Sequence, residues 1–128
     1  MKQPILAALL ALACGHALAD WTSLGDVGNA ELFIDKTTIV RSGDKATMWS
    51  IYALKAPVAA GSASYVSLKR QDEFDCKESR MRPLQIAAYP KPMAEGTPVA
   101  NEKSNANWSA PAPQSIGEKL LTVACAKE

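Results

Sequence analysis

The sequence predicts an α+β fold, an antiparallel β-sheet with one C-terminal helix tethered to one face by a disulfide. Three observations lead there. Short runs of alternating or β-branched residues, punctuated by turn residues, fill most of the chain after its leader. One stretch of helical periodicity closes it. The two cysteines that survive export, Cys76 and Cys125, fall at the end of a strand segment and inside that helix.

The leader comes first. Lys2 supplies a positive charge, Pro4 to Ala13 runs without a charge, and Ala17-Leu18-Ala19 is an A-x-A cleavage site. The apolar run is too short to cross a bilayer core, which takes about 20 helical residues, and the rest of the chain holds no longer one, so no transmembrane segment is expected in the mature protein. Residues 1–19 therefore read as a signal peptide cleaved after Ala19, and residues 20–128 as one domain exported to the periplasm or the outer-membrane surface. Lipidation at Cys14 is the alternative ending, but Ala11 stands where a lipoprotein signal usually carries Leu.

Composition then removes function classes. The 14 Lys and Arg include Lys2, which leaves 13 basic against 13 acidic side chains in the mature chain. That balance provides no electrostatic footprint for nucleic acid. The chain's one histidine, His16, lies in the leader. Processing thus removes the commonest general base at neutral pH, together with Ser-His-Asp arrangements and histidine-ligated zinc. Cys76 and Cys125 meet an oxidising compartment and are expected to pair, which commits both thiols. No cofactor or metal is called for, and the expectation is a protein without catalysis.

The elements follow in order. Trp21 opens an extended stretch, and Gly25 and Gly28-Asn29 separate it from Ala30–Asp35, where Leu32 and Ile34 share one face. Thr37–Arg41 is short and β-branched, and Ser42-Gly43-Asp44-Lys45 is a hairpin turn. Ala46–Leu54 carries bulk on both faces, with Trp49 and Ile51 opposite Met48 and Tyr52, and so belongs in the middle of the sheet. Residues 56–62 are small and contain Pro57, and read as a loop. From about Ser64 to Phe74, Val66, Leu68 and Phe74 share the parity of Cys76 and should face the core. Arg70 and Asp72 have that parity too, which implies either an ion pair at the sheet's rim or a bulge that shifts the phase partway along. A polar turn at 77–80 leads into Met81–Tyr89, with Leu84, Ile86 and Ala88 inward. Residues 90–113 are rich in Pro, Gly, Asn and Ser, so little regular structure is expected, and Trp108 is expected to anchor this loop to the body. Ser115 and Glu118 form a capping box ahead of Ile116, Leu120, Leu121 and Ala124, which fall on one helical side together with Cys125.

The most charged window is Lys69–Arg82, with both signs interleaved. Such charges guard a strand edge against unwanted pairing. Arg80 and Arg82, supported by Lys69, also offer a polar surface for a protein partner or an anionic group, and Trp108 joins them as a candidate partner-binding residue. Asp72, Glu73 and Asp75 are close in sequence, but adjacent strand residues point to opposite faces, and no Gly-turned loop accompanies them to build a calcium cage.

The order of landmarks resembles the bacterial surface-adhesin protein E-like domains. The residues that carry it are Trp21; Phe33-Ile34-Asp35 with Thr38-Ile39 and Arg41; the strand of Trp49; Glu73-Phe74-Asp75-Cys76 with Arg80 and Arg82; Trp108 ahead of Pro113 and Ser115; and Cys125. The resemblance spans nearly all of the mature chain. It implies the same sheet, helix and disulfide. It also implies an adhesin-like envelope protein that binds a host matrix or serum protein and can form a homodimer. A periplasmic accessory or inhibitor that inserts the 90–113 loop into its target, another envelope protein, is the alternative.

Overall fold

The computed structural model describes residues 20–127. The expected signal peptide, with Cys14 and the expected cleavage site after Ala19, lies outside the described residues. The β-strands are β1 (Thr22–Asp26), β2 (Ala30–Ile34), β3 (Val40–Ser42), β4 (Lys45–Ala60), β5 (Ala63–Asp75), β6 (Arg80–Tyr89) and β7 (Ala100–Lys103), and the helix is α1 (Ile116–Ala124). The strands form one antiparallel sheet in the order β1-β2-β4-β5-β6-β7. β3 shares β4's outer edge with β2, pairing at Ala46 and Thr47 while β2 pairs further along at Ser50 to Leu54.

Between β2 and β3 the chain makes a 3-10 turn at Lys36–Thr38. Asp35 caps it by accepting from the Thr37 N–H at 2.9 Å, and the Thr38 hydroxyl accepts the Trp49 N–H at 3.1 Å, tying the turn to β4. Gly43, at φ 60°, lets the chain reverse tightly between β3 and β4.

Strand parity gives the sheet two faces. On one, Leu32 and Ile34 of β2, Ala46 and Met48 of β4, Phe74 of β5 and Met81 of β6 form the buried core with Leu120 and Ala124 of α1. A nine-residue helix is too short to persist in water alone, so α1 depends on this packing and on its tether. Ser115 caps it by accepting the Glu118 N–H at 3.3 Å. Cys125 caps the other end through its own N–H to the Leu121 carbonyl, and its sulfur is bonded to Cys76 at the end of β5. The disulfide thus joins the helix to the sheet as expected.

Four elements differ from the sequence reading. The β-branched run Thr37–Arg41 is not one strand: Lys36–Thr38 forms the 3-10 turn, and β3 runs from Val40 into Ser42. Residues 56–60 continue β4 rather than forming a loop, and the reversal is confined to Gly61 and Ser62. Pro57 fits there because the β4–β5 register breaks between Ala53 and Val58, where no ladder donor is needed from it. Residues 90–113 hold a four-residue edge strand, β7, paired to Gln85–Ala88. The inward parity of β6 also changes partway. Met81 and Pro83 stand opposite Phe74 and Asp72, but beyond Leu84 the inward pair is Ile86 and Ala88, because the β5–β6 register shifts by one residue at that point.

Arg70 and Asp72 do form an ion pair, but on a central strand with Asp72 buried instead of at the sheet's rim, and the bulge lies in β6. β5 itself keeps its phase, and both residues lie on the core face, where Arg70 Nε donates to Asp72 Oδ1 at 2.8 Å. Asp72 is 1% exposed. Burial pushes its carboxyl above the usual range, and Arg70 pulls it back. Tyr52, on the same face, is pushed up mainly by burial.

Candidate functional site

The helix covers one face of the sheet, and the residues of opposite parity make up the other. Three cross-strand rows define its basic end. Lys45, Asp75 and Arg80 stand side by side; next come Thr47, Glu73 and Arg82; then Trp49, Gln71 and Gln85, with Ile51, Lys69 and Ala87 following. At the far end this face is closed. Ser67 is fully buried there, accepting from the Ala94 N–H at 2.9 Å and donating to the Lys91 carbonyl at 2.7 Å, so that the 3-10 turn Pro92–Ala94 sits against β4 and β5.

Trp108 is brought to the open end by its neighbour. Ser109 exchanges two backbone hydrogen bonds with Met81, at 2.8 and 3.0 Å, and this places the preceding side chain beside the outward residues of β6. The Arg82 guanidinium lies 4.4 Å from the indole centroid, Arg80 5.4 Å and the Lys45 ammonium 5.7 Å. Each is within cation–π range. Two rows away, the Lys69 ammonium sits 4.9 Å over the ring of Trp49. The half-buried Trp108 thus anchors the loop, as its sequence context suggests, and at the same time offers an aromatic surface stacked with cations.

Carboxylates fix the cations in place. Arg82 Nε donates to Glu73 Oε1 at 2.8 Å, with NH2 at 2.7 Å, a charge-assisted contact through two nitrogens. Arg80 Nε donates to Asp75 Oδ2 at 3.1 Å, and Lys45 approaches the same oxygen at 3.4 Å. Asp75 also accepts the Lys77 and Glu78 N–H groups. The Glu78 N–H first, with Arg80 and Lys45 after it, holds the Asp75 carboxyl down to about 2, against the opposing effect of burial. Gln85 donates to Gln71 in the row of Trp49, at 2.8 Å.

Of the four sequence-predicted binding residues, Arg80, Arg82 and Trp108 meet in one cluster. Lys69 is four residues up β5 from Glu73, roughly 13 Å along a strand, and belongs with Trp49 instead. Lys45, Trp49 and Asp75 complete the site and escaped the sequence reading as members of it. Lys45 and Trp49 share the outward parity of β4, but which rows they occupy depends on the β4–β5 register. The three carboxylates do not converge: Asp72 faces the core with Arg70, while Glu73 and Asp75 face outward on separate cations.

Chemically these four rows hold five cations, Lys45, Lys69, Arg80, Arg82 and, opposite Gln85 on β7, Lys103, against two carboxylates, Glu73 and Asp75. Their surplus is positive. Arg and Trp side chains held rigid before contact lose little entropy on binding, and these residue types dominate the energetics of protein interfaces. Two open cavities lie on the helix side instead, one of ≈ 970 Å³ beside the C-terminal turn of α1 and one of ≈ 340 Å³ beside its start, and neither is lined by any of the four predicted residues. Among the described residues no helix is long and apolar enough to cross a membrane.

Residues 21–126 match the family described as surface-adhesin protein E. The fold is similar to crystal structures of Haemophilus influenzae protein E. Crystal form II superposes with a TM-score of 0.64 at 12% identity, covering 79% of this chain and 91% of that one. The protein from non-typeable H. influenzae gives 0.63 at 13% identity over 77% and 71%. A selenomethionine form of H. influenzae protein E gives 0.63 at 11% identity over 81% and 92%. No curated protein matches by sequence.

Proposed function

The chain belongs to the surface-adhesin protein E family, and from that premise we propose that it is an exported, non-catalytic envelope protein that binds protein partners through its helix-free sheet face. The observation that carries this reading is the stack of Arg82, Arg80 and Lys45 around Trp108, continued by Lys69 on Trp49. It presents aromatic and cationic anchors already held in place, with a positive surplus suited to an acidic stretch of a host matrix or serum protein. Export follows from cleavage after Ala19, which delivers the domain to the periplasm or the outer-membrane surface.

The alternative, an inhibitor that inserts residues 90–113 into an envelope target, has weaker support. That segment is fastened at Ser67, along β7 and at Met81. Little of it is left free to enter a partner.

The test combines fractionation of the producing cell with binding of the purified protein to immobilised matrix and serum proteins. Surface exposure with saturable binding that weakens on Trp108→Ala supports the reading. A strictly periplasmic protein that binds none of them removes the adhesin function.

A further inference from the structure

Among the described residues, three aspartates are buried to 1% exposure, and two of them have counter-cations. Asp72 pairs with Arg70, and Asp75 with Arg80 and Lys45. Asp35 has no Lys or Arg within ion-pair distance among the described residues. Its Oδ1 accepts from the Thr37 N–H and hydroxyl, and its Oδ2 accepts from the Asp20 backbone nitrogen at 3.0 Å. A buried carboxylate without a cation is costly. The register of β1 on β2, beginning at Thr22 opposite Ile34, brings the start of the domain to the Asp35 end of β2.

Asp20 is also the residue that follows the A-x-A cleavage site. The leader motif and the burial of Asp35 are independent, and both single out the same nitrogen. We infer that processing before Asp20 creates the missing counter-cation. The inference rests on cleavage after Ala19. Hydrolysis of the Ala19–Asp20 peptide bond by a signal peptidase consumes one water, leaves a carboxylate on Ala19, and converts the Asp20 amide nitrogen to an α-amine that takes up a proton. That ammonium then meets Asp35 Oδ2, so an amide hydrogen bond is replaced by an ion pair to a buried carboxylate. The precursor lacks this pair, and the domain reaches full stability only once the leader is removed.

The test compares the secreted protein, its first residue identified by mass spectrometry, with a form carrying one Gly before Asp20, each with Asp35 and with Asp35→Asn. The side chains of Asp20 and Lys36, the other charges along that edge, are the same in all four. The added Gly moves the ammonium by one residue and is expected to raise the unfolding equilibrium constant about tenfold, a difference that vanishes with Asp35→Asn. Equal stability of the two Asp35 forms, or a gap that persists with Asp35→Asn, overturns the pairing. A native first residue other than Asp20 overturns the cleavage site instead, and the two failures are told apart by mass. If Asp35→Asn does not fold, titration of the Asp20 α-amine by nuclear magnetic resonance decides. A value above the usual range of about 7.7–8.0 supports the pair, and a value within it refutes the pair.

Discussion

Replacing both Cys76 and Cys125 by Ser tests the tether between helix and sheet. The bond spans 49 residues of sequence. In the chain-entropy account a loop of that length restricts the unfolded ensemble by about 14 cal/mol/K, or about 4 kcal/mol at 25 °C. The packing that would have to hold α1 without it is modest. Leu120 and Ala124 are each 1% exposed, with Ile116, Leu121 and Val123 partly buried beside them. Full burial of a leucine contributes roughly 2–3 kcal/mol, and the helix is too short to stand alone. The tie is therefore comparable to the helix's whole contact with the sheet, and large against the roughly 5–15 kcal/mol of a typical domain. Urea unfolding of the double Ser variant, followed by tryptophan fluorescence and far-ultraviolet circular dichroism, is expected to show a loss of about 4 kcal/mol. With a slope of about 2 kcal/mol/M the midpoint falls by about 2 M. A loss under about 1 kcal/mol would refute the reasoning, because it would mean that packing alone fixes the end of the chain.

Other expectations concern the charged residues. Arg70→Ala leaves the 1% exposed Asp72 without its partner and should cost about 3 kcal/mol or somewhat less, since Arg70 keeps 30% of its side-chain surface in water, whereas Asp72→Asn should cost less than about 1 kcal/mol. Thermal unfolding of the two variants distinguishes them, and equal losses would contradict the account. Asp75 titrates at about 2 in the fold, below the value of about 4 for an unfolded aspartate, so its contribution is whole above about pH 4 and lost as the pH falls toward 2. Asp75→Asn should therefore flatten the acid limb of stability against pH. Asp72, raised in the fold, acts in the opposite direction, binding its proton more readily in the native state as the pH drops.

Much of this molecule can be read from side-chain periodicity, and what cannot be read depends on contacts between strands. Leu68 and Phe74 announce an inward face by their spacing, while the phase of Arg70 and Asp72 between them stays open until the neighbouring strands are in register, and Ser115, Leu120, Ala124 and Cys125 announce a capped helix facing a core. The one-residue shift at Leu84 is invisible in β6 alone, because a bulge is a relation between two strands. Ala56–Ala60 and Ala100–Lys103 are exposed or nearly so, and carry no alternation to betray them as strands. Their backbone ladders hold them, and a ladder leaves no trace in residue type. The candidate site divides in the same way. Arg80 and Arg82 stand out by charge and parity, but Trp108 reaches them through the Ser109–Met81 bridge, and Lys45 and Trp49 reach their rows through the β4–β5 register.

The claim that the helix-free sheet face is the partner surface is tested most directly by measuring affinity for a matrix or serum protein that the native chain binds, across variants of the two faces. Arg82→Ala, Trp108→Ala and Lys69→Ala alter the open face, and Thr122→Glu alters the exposed side of α1. With the fold of each verified by circular dichroism, the account predicts at least a tenfold loss of affinity for Arg82→Ala and Trp108→Ala, a smaller loss for Lys69→Ala and none for Thr122→Glu. Unchanged binding by the first three, or a loss confined to Thr122→Glu, would contradict it.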